Sequence, residues 1–480
     1  MLNRSRNFKK ELRLWNYSQI ILIAILLSLT IYSSLSMYAV GGAEWDFLAH
    51  WLGSKSFITP AFYTSLFEGK LSSSILYGNA FYFESLRAPL ESIIMIPFLL
   101  VGNWTIPIFF IFSILFLLAS ALYFAKTIEI DPILPSLFLL TPYVALFLTL
   151  LNGTEILSMS VLLFALALLI KNDWKSGILF ALASLAKYTN LIFIPLILFL
   201  PKAQRQKAMF SFVLTTLPWI VFNAIVFHNP LFSYLISTSA FSTSGTTAYF
   251  QLSQISASLW IVLSDMLPLF ALFVIFLAVT YKRSNSSKPL GGLRGLFAFE
   301  GTKRILLSFL FLGVLVWVLT SAKGSINNLP RLGYMIYLGI GLLLSFYLSR
   351  LKKSSGLPQA FYQRTIHLIF ILLLFILFTD APYINYQFYG SSSPVLGSTG
   401  AALKAENLSR CNLISNNWVY LIYDGYKAHL PYYYNSSLQR YPIIFFTGLG
   451  SNQSSINFAN VTKRINYAGF FIAFPKNYSC

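Results

Sequence analysis

The chain alternates long apolar runs with short polar interruptions. The first run, Ile20–Val40, is long enough to cross a hydrocarbon core of about 30 Å. It lacks a small-residue cleavage pattern, so it reads as a retained signal anchor rather than a removed leader. The next stretch, Leu86–Val101, is short and opens Arg87-Ala88-Pro89-Leu90-Glu91. A proline and an acid in so few residues predict a helix lying in the membrane interface. Further apolar runs at about 104–125, 133–150, 156–170, 176–188, 190–200, 208–227, 258–280, 305–321, 332–348 and 365–380 bring the expected total to about eleven spans. The runs at 176–188 and 190–200 are short for a bilayer, which predicts one broken or re-entrant helix there.

Beyond residue 380 the pattern changes. Residues 381–480 are rich in Tyr, Asn and Ser, and the stretches Trp418-Val419-Tyr420-Leu421-Ile422-Tyr423 and Tyr441-Pro442-Ile443-Ile444-Phe445-Phe446 predict β-strands. The expected organisation is a transmembrane domain over 1–380, with interfacial helices in a first external loop at 41–103. A small external α/β domain follows over 381–480. A Ser/Thr-rich loop at 228–257 is the other long interruption, placed outside as either a lid or a plain surface loop.

Composition agrees with the pattern. Hydrophobic residues make up 56% of the chain and charged ones only 10%, which excludes an ordinary soluble domain. A net charge of +19 would suggest nucleic acid as a partner in a soluble protein. Here most of the 34 lysines and arginines gather in short loops between spans, as topology signals do, so no nucleic-acid partner is expected. The segment 1–18 carries Arg4, Arg6, Lys9, Lys10 and Arg13, which places the N-terminus in the cytoplasm and the C-terminal domain outside. Treating Leu86–Val101 as a span would invert every later loop and export the basic cluster Lys282–Arg304.

Two further signals fit an external tail. Asn-x-Ser/Thr patterns occur at Asn407, Asn435, Asn452, Asn460 and Asn477, and the chain's two cysteines, Cys411 and Cys480, both lie there. A disulfide between them is expected in an oxidising compartment, two free thiols otherwise. The bounding membrane is expected to be a prokaryotic plasma membrane, since no retention signal for an internal compartment is seen.

Ionisable side chains near the hydrocarbon cost about 2.5–3.5 kcal/mol each at a span centre, so their positions carry chemical information. This topology gathers Glu44, Asp46, Lys55, Arg87, Glu91, Glu155, Lys187, Lys323 and Arg331 on the outer side. Acids together with bases suit a reaction in which a carboxylate deprotonates an incoming hydroxyl while cations hold a phosphate leaving group. No phosphate-cradling glycine loop, nucleophile elbow or His/Cys cluster is present, and the four histidines are scattered.

Several of these segments, in order, resemble the GT-C superfamily of integral-membrane glycosyltransferases, in its mannosyltransferase-like and aminoarabinose-transferase-like branches. Glu44-Trp45-Asp46 matches the acid of the first external loop. Arg87-Ala88-Pro89-Leu90 stands where the family often has Pro-Pro-Leu, and Asn152-Gly153-Thr154-Glu155 opens a later span with an acid. Ser176–Tyr188 resembles the family's small-residue helix ending in Lys. Leu329-Pro330-Arg331-Leu332-Gly333-Tyr334 resembles its later Arg-bearing motif. The match covers about the first 350 residues. It departs from the family in splitting the acid into a pair around Trp45 and in having Ala-Pro for Pro-Pro.

The resemblance implies an inverting transfer of a sugar, mannose-like by default, from a polyprenyl- or dolichyl-phosphate donor to an acceptor hydroxyl on a glycan, lipid or protein. It assigns the general base to Asp46, with Glu44 as the fallback, and gives Glu155 the task of orienting acceptor or metal. Arg87, Lys187 and Arg331 would grip the lipid phosphate. Each of these has a blander reading: Asp46 as a helix cap, Glu155 as a complement to a helix dipole, Lys187 and Arg331 as snorkelling chains, Arg87 as an interfacial anchor. Some family members use a divalent metal, and that dependence stays open here. A lipid-linked-sugar flippase would want ionisable groups at mid-membrane and internal repeats, neither of which is seen. Two further classes stay open: an oligosaccharyltransferase-like enzyme, weakly suggested by Tyr423-Asp424-Gly425-Tyr426, and a non-catalytic envelope protein.

Overall fold

The computed structural model describes residues 20–25, 27–29, 31–32, 45–67, 75–78, 81–84, 87–139, 154–240, 301–321, 334–354, 362–371, 393–415, 421, 426–429, 441–446, 461–467, 470–476 and 478. The chain divides into two compact units. The first comprises Met1–Leu35 with His50–Phe378, the second Ser36–Ala49 with Thr379–Cys480.

The first unit is helical. After α1 (Trp45–Phe57), which begins in the second unit, come α2 (Pro60–Phe67) and a short antiparallel hairpin of β1 (Ile75–Gly78) and β2 (Phe81–Glu84). The hairpin was not anticipated in a loop expected to carry only interfacial helices. The expected interfacial segment is α3 (Leu90–Met95) continued by a 3-10 stretch, Ile96–Trp104. The bundle then runs through α4 (Thr105–Thr127), α5 (Ile133–Leu139), α6 (Thr154–Ile170), α7 (Ser176–Ala186), a second 3-10 stretch (Tyr188–Phe199), α8 (Lys202–Phe227), α9 (Phe232–Ala240), α10 (Gly301–Ser321) and α11 (Tyr334–Ser354).

Among the described residues three helices are long and apolar enough to cross a membrane: Thr105–Thr127, Lys202–Phe227 and Gly301–Val318. The expected span at 258–280 lies outside the described residues. α8 shows how this sequence solves the packing problem of a lipid solvent. Met209, Phe210, Val213, Leu214, Leu217, Val221 and Ile225 are exposed at helical spacing, while Ser211, Thr216 and Asn223 are buried. The buried face also carries Ala208, Phe212, Trp219, Val226 and Phe227, so apolar side chains face both lipid and neighbouring helices while the polar groups are kept where protein can satisfy them.

α7 packs against both α6 and α8. Its start is so close to α8 that a Cβ on Gly177 would collide with the Ala208 carbonyl, so only glycine fits. Asp173 accepts from the Lys175 amide at 2.9 Å in the turn that reverses α6 into α7. α6 itself closes with the Asp173 amide on the Leu168 carbonyl and the Asn172 amide on Leu169, Asn172 adopting φ 56°.

In the second unit α12 (Ser393–Ala405) leads into a five-stranded sheet ordered β4-β3-β5-β7-β6. β3 (Asn412–Ser415) lies parallel to both β4 (Lys427–His429) and β5 (Ile443–Phe446). β7 (Phe470–Pro475) is antiparallel to β5 and to β6 (Val461–Tyr467). β5 and β7 are buried along their whole length, whereas the edge strand β6 exposes Thr462, Lys463 and Arg464, and the two charges discourage further strand pairing. Of the two strands anticipated, Tyr441–Phe446 corresponds to β5; the other, Trp418–Tyr423, lies outside the described residues apart from Leu421.

Candidate functional site

The polar centre of the first unit forms where α7 breaks. Lys187 caps α7 in extended geometry (φ −154°, ψ 120°), and the chain resumes at Tyr188 as a 3-10 helix containing Pro195. Extended backbone sends successive side chains to opposite sides. Lys187 therefore turns toward α6 and α11, and Tyr188 toward the Arg87 segment and α8.

On the first side, the Lys187 ammonium is ion-paired to Glu155. Glu155 stands in the first turn of α6 and is fully buried, and only 13% of the Lys187 side chain is exposed. The ammonium also sits 5.0 Å from the centre of the Tyr334 ring, within cation–π range. Tyr334, the first residue of α11, is held in turn. Its hydroxyl donates to Asn190 Oδ1 at 3.1 Å and lies 3.3 Å from Ser158 Oγ. Asn190 Nδ2 donates to Ser158 Oγ at 2.6 Å and to the Ala183 carbonyl at 2.8 Å. Tyr334, Asn190 and Ser158 are all buried, so this closed network fixes the floor beneath the Lys187–Glu155 pair.

On the second side, the Tyr188 hydroxyl donates to the Arg87 carbonyl at 3.1 Å and accepts from Trp219 Nε1 at 3.0 Å. The Tyr188 ring meets that of Tyr234 at 4.6 Å. Asn223 ties the end of α8 to α9, donating to the Trp219 carbonyl and accepting from both the Ser233 amide, at 3.1 Å, and the Ser233 hydroxyl. Tyr188, Trp219, Phe62 and Ala88 share an apolar cluster with the ends of α7 and α8.

A third group lies on α1 and α3. His50 Nδ1 is 3.1 Å from Ser92 Oγ, and Glu91 beside it is fully buried. Lys55, nearer the end of α1, places its ammonium 3.6 Å over the Trp51 ring, and partial burial holds its pKa below the usual lysine value.

Of the residues singled out from sequence, the structure brings Glu155 and Lys187 into contact and places the Arg87 carbonyl one residue away, on Tyr188. Asp46 lies in the first turn of α1 and falls in the second unit. Glu44, Arg331 and Cys480 lie outside the described residues. Cys411 is buried just before β3. Among the described residues no three of His, Cys, Asp and Glu come together as a metal site would require. Sequence reasoning passed over Asn190, Ser158, Tyr334 and Trp219 as site residues. The available signal was an Asn two residues past the Lys-Tyr break, a polar group in an apolar run that had to find partners.

Comparison with known proteins follows the same lines. The model of the EpsG family matches residues 61–388. Among solved structures, the crystal structure of ArnT from Cupriavidus metallidurans bound to undecaprenyl phosphate superposes with a TM-score of 0.55. It covers 96% of this chain and 98% of that one at 11% identity. None of the curated proteins matches. The resemblance read from the motifs thus holds for the fold, which is that of the GT-C membrane glycosyltransferases.

Proposed function

The chain belongs to the EpsG family and has a GT-C membrane fold, and from that premise we propose that it transfers a sugar from a polyprenyl-phosphate donor to an acceptor hydroxyl. The observation that carries the proposal is the Glu155–Lys187 pair at the break of α7, in a fold whose solved neighbour holds undecaprenyl phosphate.

In the proposed reaction the acceptor oxygen attacks the anomeric carbon from the face opposite the phosphate. A carboxylate takes the hydroxyl proton, and the phosphate leaves as polyprenyl phosphate with the electrons of the broken C–O bond. The product is inverted at that carbon. Asp46 is the proposed base, with Glu44 as its fallback.

Glu155 changes role from the one the resemblance gave it. It is the counter-ion of Lys187, so the pair carries no net charge before the donor arrives. Lys187 then shares its ammonium between Glu155 and the phosphate, and Arg87 and Arg331 supply further positive charge. The sugar is mannose-like by default, and the acceptor is a glycan, lipid or protein on the outer face.

The first test is Asp46→Asn in the full chain, assayed with polyprenyl-phosphate sugars. Transfer should fall by at least about 100-fold with membrane insertion intact, the scale of a lost general base. Full activity with Glu44 untouched would move the base elsewhere. Arg331→Ala should raise KM for the donor and leave that for the acceptor unchanged; the reverse split would remove Arg331 from the phosphate site.

A further inference from the structure

We propose that Tyr188, backed by Trp219, is a positioning residue that fixes Arg87 relative to Lys187 and so sets the spacing of two cations on the lipid phosphate. The inference rests on the reading of Arg87 and Lys187 as phosphate-holding residues and adds the device that holds them in register.

Arg87 begins the segment before α3, and Lys187 ends α7; a hundred residues separate them in sequence. The link is short. The Tyr188 hydroxyl donates to the Arg87 main-chain carbonyl at 3.1 Å, and Tyr188 is covalently next to Lys187. A tyrosine hydroxyl has one proton, and this bond uses it. The hydroxyl's position is then fixed from behind by the Trp219 indole N–H, a group that can only donate and does so here at 3.0 Å. Tyr188 and Trp219 are both buried, which keeps water from competing for these bonds. Rotation of the Tyr188 ring is limited by Tyr234, 4.6 Å away, and by Phe62 and Ala88 in the same cluster. Trp219 in turn is anchored through its carbonyl to Asn223 at 2.7 Å.

A phenylalanine at 188 would keep the packing and lose both hydrogen bonds. The Arg87 segment would then lose its tether to the residue next to Lys187. A bidentate guanidinium–phosphate contact is sensitive to such a loss, because its geometry is planar and fixed. A loss confined to the phosphate end of the ligand is the signature that separates this role from general support of the helix ends.

The test measures binding of undecaprenyl phosphate to the purified full chain in detergent, with undecaprenol as the ligand lacking phosphate. Tyr188→Phe should weaken undecaprenyl phosphate binding by about three- to tenfold and leave undecaprenol unchanged. Arg87→Ala should weaken it at least as much. If Tyr188 acts through Arg87, the double variant binds no worse than Arg87→Ala alone, because contacting positions couple rather than add. Trp219→Phe, which removes the rear donor and keeps the Tyr188–Arg87 bond, should give a smaller loss of the same kind; it carries the test if Tyr188→Phe does not fold. Additive losses in the double variant, or equal losses for undecaprenol, would overturn the positioning role. Unchanged phosphate binding in Arg87→Ala would instead overturn the reading on which it rests.

Discussion

A lysine–carboxylate pair with one partner fully buried is costly to assemble and more costly to break. Removing either member leaves an uncompensated charge, and such changes destabilise proteins by about 3–5 kcal/mol; removing both together is often neutral. That asymmetry separates structural from chemical roles. Glu155→Gln and Lys187→Met should each lower the melting temperature of the detergent-purified protein, and the double variant should recover most of that loss. Its weakened binding of the lipid phosphate should not recover. A double variant that regains both would make the pair a packing device. At this scale the sequence was informative where a charge interrupted an apolar run: Glu155 and Lys187 stood out, and they meet. It was silent on Tyr334, Asn190 and Ser158, because hydroxyls and amides occur in membrane helices for many reasons and only three-dimensional closure shows them to be one network.

The elements around that pair owe their form to a break that sequence showed only as shortness. α7 has 11 residues, a rise of about 16 Å, roughly half a hydrocarbon core. The chain then continues for 12 residues as a 3-10 helix, an unusually long run of that geometry. Two short spans were expected at 176–188 and 190–200, with one of them broken; the structure has a single interrupted path whose interruption carries Lys187 and Tyr188. α7 is held against α8 near its start, at Gly177, where a larger residue has nowhere to go but into the α8 backbone. Gly177→Val should therefore separate the two helices and destabilise the bundle by about 1–3 kcal/mol, the usual scale of overpacking, read as a drop in melting temperature. Tyr188 follows α7 and Trp219 lies on α8, so parting the two helices should weaken donor binding as well. A fully stable, fully active Gly177→Val variant would show that the helices can part without cost. The hairpin β1–β2 was missed for a different reason: two four-residue strands give too few alternations to register against the surrounding apolar sequence.

At the scale of the whole molecule, the composition changes near residue 380, and the compact units are discontinuous in sequence, Ser36–Ala49 grouping with Thr379–Cys480. The first turn of α1, with Asp46, thus belongs to the unit that carries the sheet. Sidedness is the property on which the proposed chemistry depends, and a bridge between the two cysteines would support an external C-terminal unit. Cys411 is buried at the entrance to β3, and Cys480 ends the chain after β7. If the unit faces an oxidising compartment, a Cys411–Cys480 bridge closes a loop that spans the whole sheet, and loop-closure entropy assigns it about 4 kcal/mol. Peptide mapping of the membrane-inserted protein, alkylated before digestion and run without reductant, should then recover a Cys411 peptide joined to the C-terminal peptide. Reduction should lower the melting temperature of the second unit while leaving that of the helical unit in place. Recovery of both thiols alkylated would remove the disulfide.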